Sequence, residues 1–155
     1  MIVSDANLIA YLVLESPWLD LARGVHHKDG EWFAPSLWRF EFQNTLATTM
    51  RREGWGLPVV LSALETANRL VARVQDPDPA AVFELVRRHH LSAYDAQYAA
   101  LALELGVPLV TQDKELLRKL PRTAVSMKGF LDKTERPGIQ EPTAKYRVGR
   151  SKRPR

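Results

Sequence analysis

The feature that most limits what this chain can fold into is a repeated order: a very short apolar run, then one or two helical stretches, then another short apolar run. Ile2–Ser4, Trp32–Ala34 and Pro108–Thr111 are the clearest such runs, with Leu70–Val74 and Thr123–Val125 as two weaker ones. A short run that is apolar throughout reads as a strand buried on both faces, not as an alternating strand with one wet side. Parallel strands need crossover connections of about a dozen residues or more, usually helical, and the stretches between these runs supply them. The expectation is an α/β layer fold built on a mainly parallel sheet.

Punctuation in the chain supports that order. Ala6–Leu14 reads as a helix ended near Pro17, and a second helical stretch runs from there to Lys28, where Asp29-Gly30 stops it. Pro35-Ser36 opens a longer helix with Ser36 as its expected N-cap, running to about Arg52 and stopped by Gly54. Leu57–Ala67 and Ala80–His90 follow. Ser92 then caps a helix that reaches Leu105 and ends at Gly106, and Asp113–Lys119 reads as a short last helix. From Lys133 onward Pro137, Gly138, Pro142 and Gly149 appear with few large apolar groups. The expected organisation is one domain over 1–131 and a Pro/Gly-containing basic tail over 132–155. No internal repeat is visible.

Composition narrows the chemistry. A chain of 155 residues with 45% apolar and 26% charged residues is a globular domain large enough to bury a core without staples. It has no cysteine, which excludes disulfide scaffolds, thiolate metal sites and cysteine nucleophiles, and fits a reducing cytoplasm. No apolar run approaches the roughly 20 residues of a membrane span. The start, Met-Ile-Val-Ser-Asp, lacks the positive charge and long apolar stretch of a signal peptide, so a cytoplasmic location is expected. The net charge of +4 is unevenly placed: Lys145, Arg147, Arg150, Lys152, Arg153 and Arg155 lie in the last twelve residues, which hold no acids, and the rest is close to neutral. Such a tail is either a solvated end or a loose arm for polyanions.

Four carboxylates stand where a bland surface acid would not. Asp5 directly follows the first strand, and Asp113 comes two residues after the strand at 108–111. In open parallel sheets the carboxyl ends of the strands face the ligand crevice, although each acid also reads as the N-cap of its following helix. Glu41 falls on or beside the expected buried face of its helix, marked by Leu37, Phe40, Asn44 and Ala47. Pairing with Arg39 or Arg51 is the alternative for it. Asp95, in Ser92-Ala93-Tyr94-Asp95, has capping-box spacing and small neighbours in Ala96 and Ala99. The expected core stripe beside it is Tyr94, Tyr98, Leu101, Ala102 and Leu105.

Gathered in one place, four acids repel one another: two unit charges about 4 Å apart cost about 4 kcal/mol at an effective dielectric of about 20. A hard divalent cation, Mg²⁺ or Mn²⁺, relieves this with oxygen ligands and can hold a phosphodiester and acidify a water. Histidine offers little competition, since His26-His27 and His89-His90 are adjacent pairs that point apart on helices. No nucleotide-cradling glycine motif occurs.

At these residues the sequence resembles the PIN domain, and within it the VapC toxins of VapBC toxin–antitoxin pairs. The resemblance runs from Met1 to about Leu131. It rests on Ile2-Val3-Ser4-Asp5-Ala6-Asn7-Leu8-Ile9, on Ala34-Pro35-Ser36-Leu37-Trp38-Arg39-Phe40-Glu41, on Leu91–Ala102 and on Gly106–Leu116. It implies a three-layer α/β/α fold with a central, mainly parallel sheet. It implies that Asp5, Glu41, Asp95 and Asp113 are the metal-binding and catalytic acids, with Mg²⁺ or Mn²⁺ as cofactor, and that Asn7 and Thr111 are supporting polar residues. The implied activity is hydrolysis of RNA by a homodimeric toxin restrained by a VapB-type antitoxin.

The residues themselves fit that picture. Asp5, Asp95 and Asp113 would be the main cation ligands, with Glu41 completing the set or orienting the attacking water. An acidic pocket repels bare phosphates, so RNA contacts are expected from basic groups outside it: Arg39, Arg51, Arg52, Arg87, Arg88 or the tail. Exposed groups among Leu8, Tyr11, Leu12, Trp18, Leu21, Trp38, Trp55 and Leu57 are expected to serve a dimer or antitoxin surface. Two other readings stand beside this one: a catalytically silent PIN-like partner-binding module, and a metal-dependent phosphatase of another α/β fold. A haloacid-dehalogenase type of phosphatase needs a second acid two residues after the first, and Asn7 stands there.

Overall fold

A computed structural model describes residues 1–132. The tail expected over 132–155 falls, apart from Asp132, outside the described residues. The chain order is β1 (Ile2–Ser4), α1 (Ala6–Val13), α2 (Leu19–Lys28), β2 (Trp32–Ala34), α3 (Trp38–Glu53), α4 (Leu57–Leu70), β3 (Val71–Val74), α5 (Pro79–His89), α6 (Ala93–Leu105), β4 (Leu109–Val110), α7 (Lys114–Lys119), β5 (Ala124–Val125) and α8 (Met127–Asp132). Every strand pair is parallel, in the order β3-β2-β1-β4-β5. The helices flank this sheet in a three-layer α/β/α arrangement, as the alternation of short strands and helices predicts. Among the described residues no helix is long and apolar enough to cross a membrane.

β1 is central because its residues cannot tolerate an edge: Ile2, Val3 and Ser4 are all fully buried, so both faces are covered. From β1 the chain first builds outward through β2 to β3, then returns to place β4 on the other side of β1. The strand order therefore reverses between β1 and β4, and a crevice opens beyond the carboxyl ends of strands at such a point. Ser4 pairs in register with Val110, which brings the next residues, Asp5 and Thr111, side by side at that crevice.

Two expected helix faces differ in the structure. On α3 the buried stripe is Trp38, Phe42 and Leu46, whereas Phe40 is 68% exposed and Asn44 is exposed. Both sets repeat at helical spacing, so periodicity cannot choose between them. Burying Trp, Phe and Leu removes more apolar surface from water than burying Phe and an amide. On α6, Tyr94 is 62% exposed. It sits in the first turn, before the helix enters the core, where Ala96 and Tyr98–Ala102 are buried nearly all round.

Ser36 is not the N-cap of α3: Leu37 occupies that position without a side-chain cap. Ser36 instead donates its N–H and its hydroxyl to Asp76, at 2.7 and 3.0 Å, tying the turn after β2 to the turn after β3. Gly54 and Gly106 do end α3 and α6, each with a positive φ that a β-carbon would strain.

Candidate active site

Asp5 leaves the end of β1 and is 7% exposed. One oxygen accepts the Leu8 N–H at 2.7 Å, capping α1, and the other accepts the Thr111 hydroxyl at 2.5 Å. The cap reading and the site reading of Asp5 are thus compatible. Burial is the main influence on its carboxyl and pushes it from 3.8 up to about 6; the Thr111 and Leu8 bonds pull the other way, and the charges of Glu41 and Asp113 push further up. Thr111 is fully buried and also accepts the Asp113 N–H at 2.9 Å, so a single hydroxyl joins the two strand-end acids.

Asp113 is the N-cap of α7, where one oxygen accepts the N–H groups of Glu115 and Leu116 at 2.7 and 2.9 Å. Asp95 sits at the third position of α6. Ser92 caps that helix by accepting the Asp95 N–H at 3.0 Å, and its hydroxyl donates to one Asp95 oxygen at 2.7 Å. The acid therefore closes on the cap's hydroxyl, not on its backbone N–H. Glu41, half-buried on the flank of the α3 stripe, accepts the Tyr98 hydroxyl at 2.5 Å. Burial raises its carboxyl most, the Tyr98 bond opposes this, and the Asp95 charge raises it further.

The four acids are electrostatically linked: the charges of Glu41 and Asp113 act on Asp5, and that of Asp95 acts on Glu41. Among the described residues none of them forms an ion pair, so neither Arg39 nor Arg51 neutralises Glu41. Nor do any three acids or histidines close into a ready-made ligand cluster among those residues. The donor set still fits a small hard cation. It is all oxygen, it has no internal countercharge, and Mg²⁺ needs only one or two carboxylates because it keeps several waters.

Asn7 is exposed and lines a groove of about 580 Å³ between α1 and α3, together with Tyr11, Asn44, Thr45, Thr48 and Trp55. Arg39 is exposed, lies over the Trp38 ring and reaches Asn68 at 3.4 Å. Arg51 approaches Thr48 at 3.5 Å, and Arg52 pairs with Glu53 at 2.6 Å. Arg87 pairs with Glu84 at 2.6 Å, and Arg88 is exposed. Of the apolar groups expected at a surface, Leu8 and Trp38 are buried in the core, while Trp18 and Leu57 are exposed.

Tyr98 is the site residue that sequence reasoning read only as core. It is 3% exposed, yet its hydroxyl ends on Glu41. The available signal was its spacing, three residues after Asp95 on the same helix, which puts the two on neighbouring positions of one face.

Comparison with known proteins agrees with this architecture. No curated protein matches the chain. Among solved structures, PAE2754 from Pyrobaculum aerophilum superposes with a TM-score of 0.66 at 24% identity, over 83% of this chain and 90% of that one, a likeness of fold. The family model for the PIN domain matches residues 2–122, a span that holds all four acids, Thr111 and Tyr98. A phosphatase of a different α/β fold is thereby set aside. PIN domains are in general nucleases and typically use divalent metal ions, and by that match this chain belongs to the PIN-domain family.

Proposed function

We propose that this PIN domain is an Mg²⁺- or Mn²⁺-dependent endoribonuclease and acts as the toxin of a VapBC-type pair. The observation that carries the reading is a set of four electrostatically linked carboxylates without a countercharge among the described residues: Asp5 and Asp113 beyond the ends of β1 and β4, and Glu41 and Asp95 in the first turns of α3 and α6. Asp5, Asp95 and Asp113 would hold the cation, directly or through water, and Glu41 would complete the set. When bound, such an ion neutralises phosphate charge and acidifies a water near neutral pH.

The chain's own residues provide placement. Thr111 holds Asp5 and the Asp113 backbone in one arrangement, and Tyr98 holds Glu41 to α6. Fixed geometry of this kind is what an in-line displacement requires. Glu41, its carboxyl raised by burial, is suited to accept a hydrogen bond from the attacking water. Exposed Arg39, Arg51 and Arg88, which form no ion pair among the described residues, are basic groups offered to the RNA backbone, together with the tail.

Partner binding is assigned to α4 and the region around Trp18. Leu57 and Leu61, one turn apart on α4, are each more than half exposed, an apolar pair that favours a second copy of the chain or a VapB-type antitoxin.

The test is RNA cleavage by purified protein with Mg²⁺, with Mn²⁺ and with EDTA, beside a small phosphate ester. Wild type should cut RNA only with a metal and leave the ester intact. Asp5→Ala, Glu41→Ala, Asp95→Ala and Asp113→Ala should each lose cleavage while staying folded. Wild-type cleavage in three of the four variants would remove the shared site, and no cleavage by wild type would favour the silent partner-binding module. Mapping RNA ends in cells after a pulse of expression, wild type against Asp5→Ala, then identifies the RNA that is cut.

A further inference from the structure

The hydrogen bonds around the four acids have a pattern that the metal-dependent reading does not by itself require. In Glu41 one oxygen is taken by the Tyr98 hydroxyl at 2.5 Å; in Asp95 one is taken by the Ser92 hydroxyl at 2.7 Å; in Asp113 one is taken by two backbone N–H groups of α7. Each of these three carboxylates keeps one oxygen without a hydrogen-bond partner among the described residues. Asp5 has both oxygens engaged, one by Leu8 and one by Thr111. None of the four acids has two free oxygens.

Cations differ in what they ask of a carboxylate. Ca²⁺ takes six to eight oxygens at about 2.3–2.6 Å and readily accepts both oxygens of one carboxylate. Mg²⁺ demands near-octahedral geometry at about 2.0–2.1 Å, where single oxygens and waters serve better. A two-oxygen bite needs the carboxylate turned so that both oxygens face the ion. A hydroxyl bound to one oxygen takes one of its two lone pairs and fixes that turn, which disfavours the bite while leaving ligation through a single oxygen open, at Asp5 as at the others.

Resting on the metal-dependent reading, we propose that Tyr98 and Ser92 are positioning residues that select the cation: each occupies one oxygen of its partner acid, Glu41 or Asp95, and so makes the site favour a small octahedral ion over Ca²⁺. Tyr98 suits the task because it is buried, so water does not compete for its proton. Ser92 holds Asp95 from the preceding turn and is itself fixed by the Asp95 N–H. Neither residue needs to touch RNA.

The experiment is calorimetric titration of the full chain with Mg²⁺, Mn²⁺ and Ca²⁺ separately, without RNA, for wild type, Tyr98→Phe, Ser92→Ala, Ser92→Thr and Asp5→Asn. Tyr98→Phe and Ser92→Ala should each raise the ratio of Ca²⁺ to Mg²⁺ affinity by roughly tenfold, the size expected from releasing a hydrogen bond to a charged group. Ser92→Thr, which keeps the hydroxyl, should keep the wild-type ratio. A general loosening of the fold would weaken all three ions together and leave the ratio in place. An unchanged ratio in both Tyr98→Phe and Ser92→Ala, with binding still lost in Asp5→Asn, overturns the selection proposal and spares the metal site. Should Tyr98→Phe fail to fold, Ser92→Ala against Ser92→Thr decides. Absence of cation binding in wild type, or full binding in Asp5→Asn, overturns the metal reading and the selection proposal with it.

Discussion

The Thr111 hydroxyl donates to Asp5 across 2.5 Å, joining residues 106 positions apart in the chain. The bond exists because β1 and β4 are parallel neighbours whose register ends with Ser4 opposite Val110. The same oxygen accepts the Asp113 N–H, so one buried hydroxyl fixes two of the four acids relative to each other.

Thr111→Val keeps the shape and deletes the hydroxyl. It leaves an Asp5 oxygen and the Asp113 N–H without their partner, which costs about 1–3 kcal/mol. Urea unfolding should show that loss, and RNA cleavage should fall as the acids lose their fixed spacing. Thr111→Ser should recover most of both. Equal stability of Thr111→Val and wild type would mean that the bond contributes nothing to the fold.

Stability should depend on pH through Asp5. Its carboxyl titrates at about 6 in the folded chain against 3.8 when unperturbed. The folded state therefore keeps a proton that the unfolded state has released, and ionised Asp5 destabilises the fold above about pH 6. The full penalty corresponds to about 3 kcal/mol, fades as pH falls through 6 and is gone below about 3.8. In chelator-treated buffer, Asp5→Asn should be more stable than wild type at pH 8, with the difference shrinking toward zero near pH 4. A difference that stays constant with pH would show that the buried charge is not its source.

Mg²⁺ or Mn²⁺ should raise the melting temperature, because an ion bound only to the folded state relieves repulsion among the linked acids. At about 100 times its dissociation constant the gain is about 2.7 kcal/mol. EDTA should reverse it, and Asp95→Asn should reduce it. Identical melting curves with and without millimolar Mn²⁺ in wild type would argue against any cation at these acids.

The exposed apolar face of α4 should govern assembly. Leu57→Glu combined with Leu61→Glu should shift a dimer toward monomer in sedimentation at micromolar concentration without lowering the melting temperature much, since both side chains are more than half exposed. A wild-type chain that is already monomeric at high micromolar concentration would leave this face to a different partner.

The basic tail offers a test that the domain does not. Removing residues 140–155 deletes six positive charges and only two large apolar groups, Tyr146 and Val148. RNA binding at low salt should weaken and its salt dependence flatten, because fewer counterions are released. Equal salt slopes for full-length and truncated chains would make the tail irrelevant to RNA.

The amino-acid sequence by itself determined the layer plan and the acids at the strand ends. β-branched Ile2-Val3, the apolar run at 109–110, the Ser and Asp caps and the stops at Gly54 and Gly106 are local signals, each acting within a few residues. Asp5 and Asp113 could be placed for the same reason, since each comes within three residues after an apolar run. Only the tertiary structure decided which stripe of α3 is buried, because Phe40 and Phe42 satisfy helical spacing equally and the choice depends on what the rest of the chain brings against them. It also decided that Tyr98 ends on Glu41, that Thr111 serves Asp5 and Asp113 together, and that no three of the described acids close into a ready-made cluster. These are relations between segments from 57 to 106 residues apart. Local propensity fixes how a segment folds; strand register and helix packing fix which segments meet.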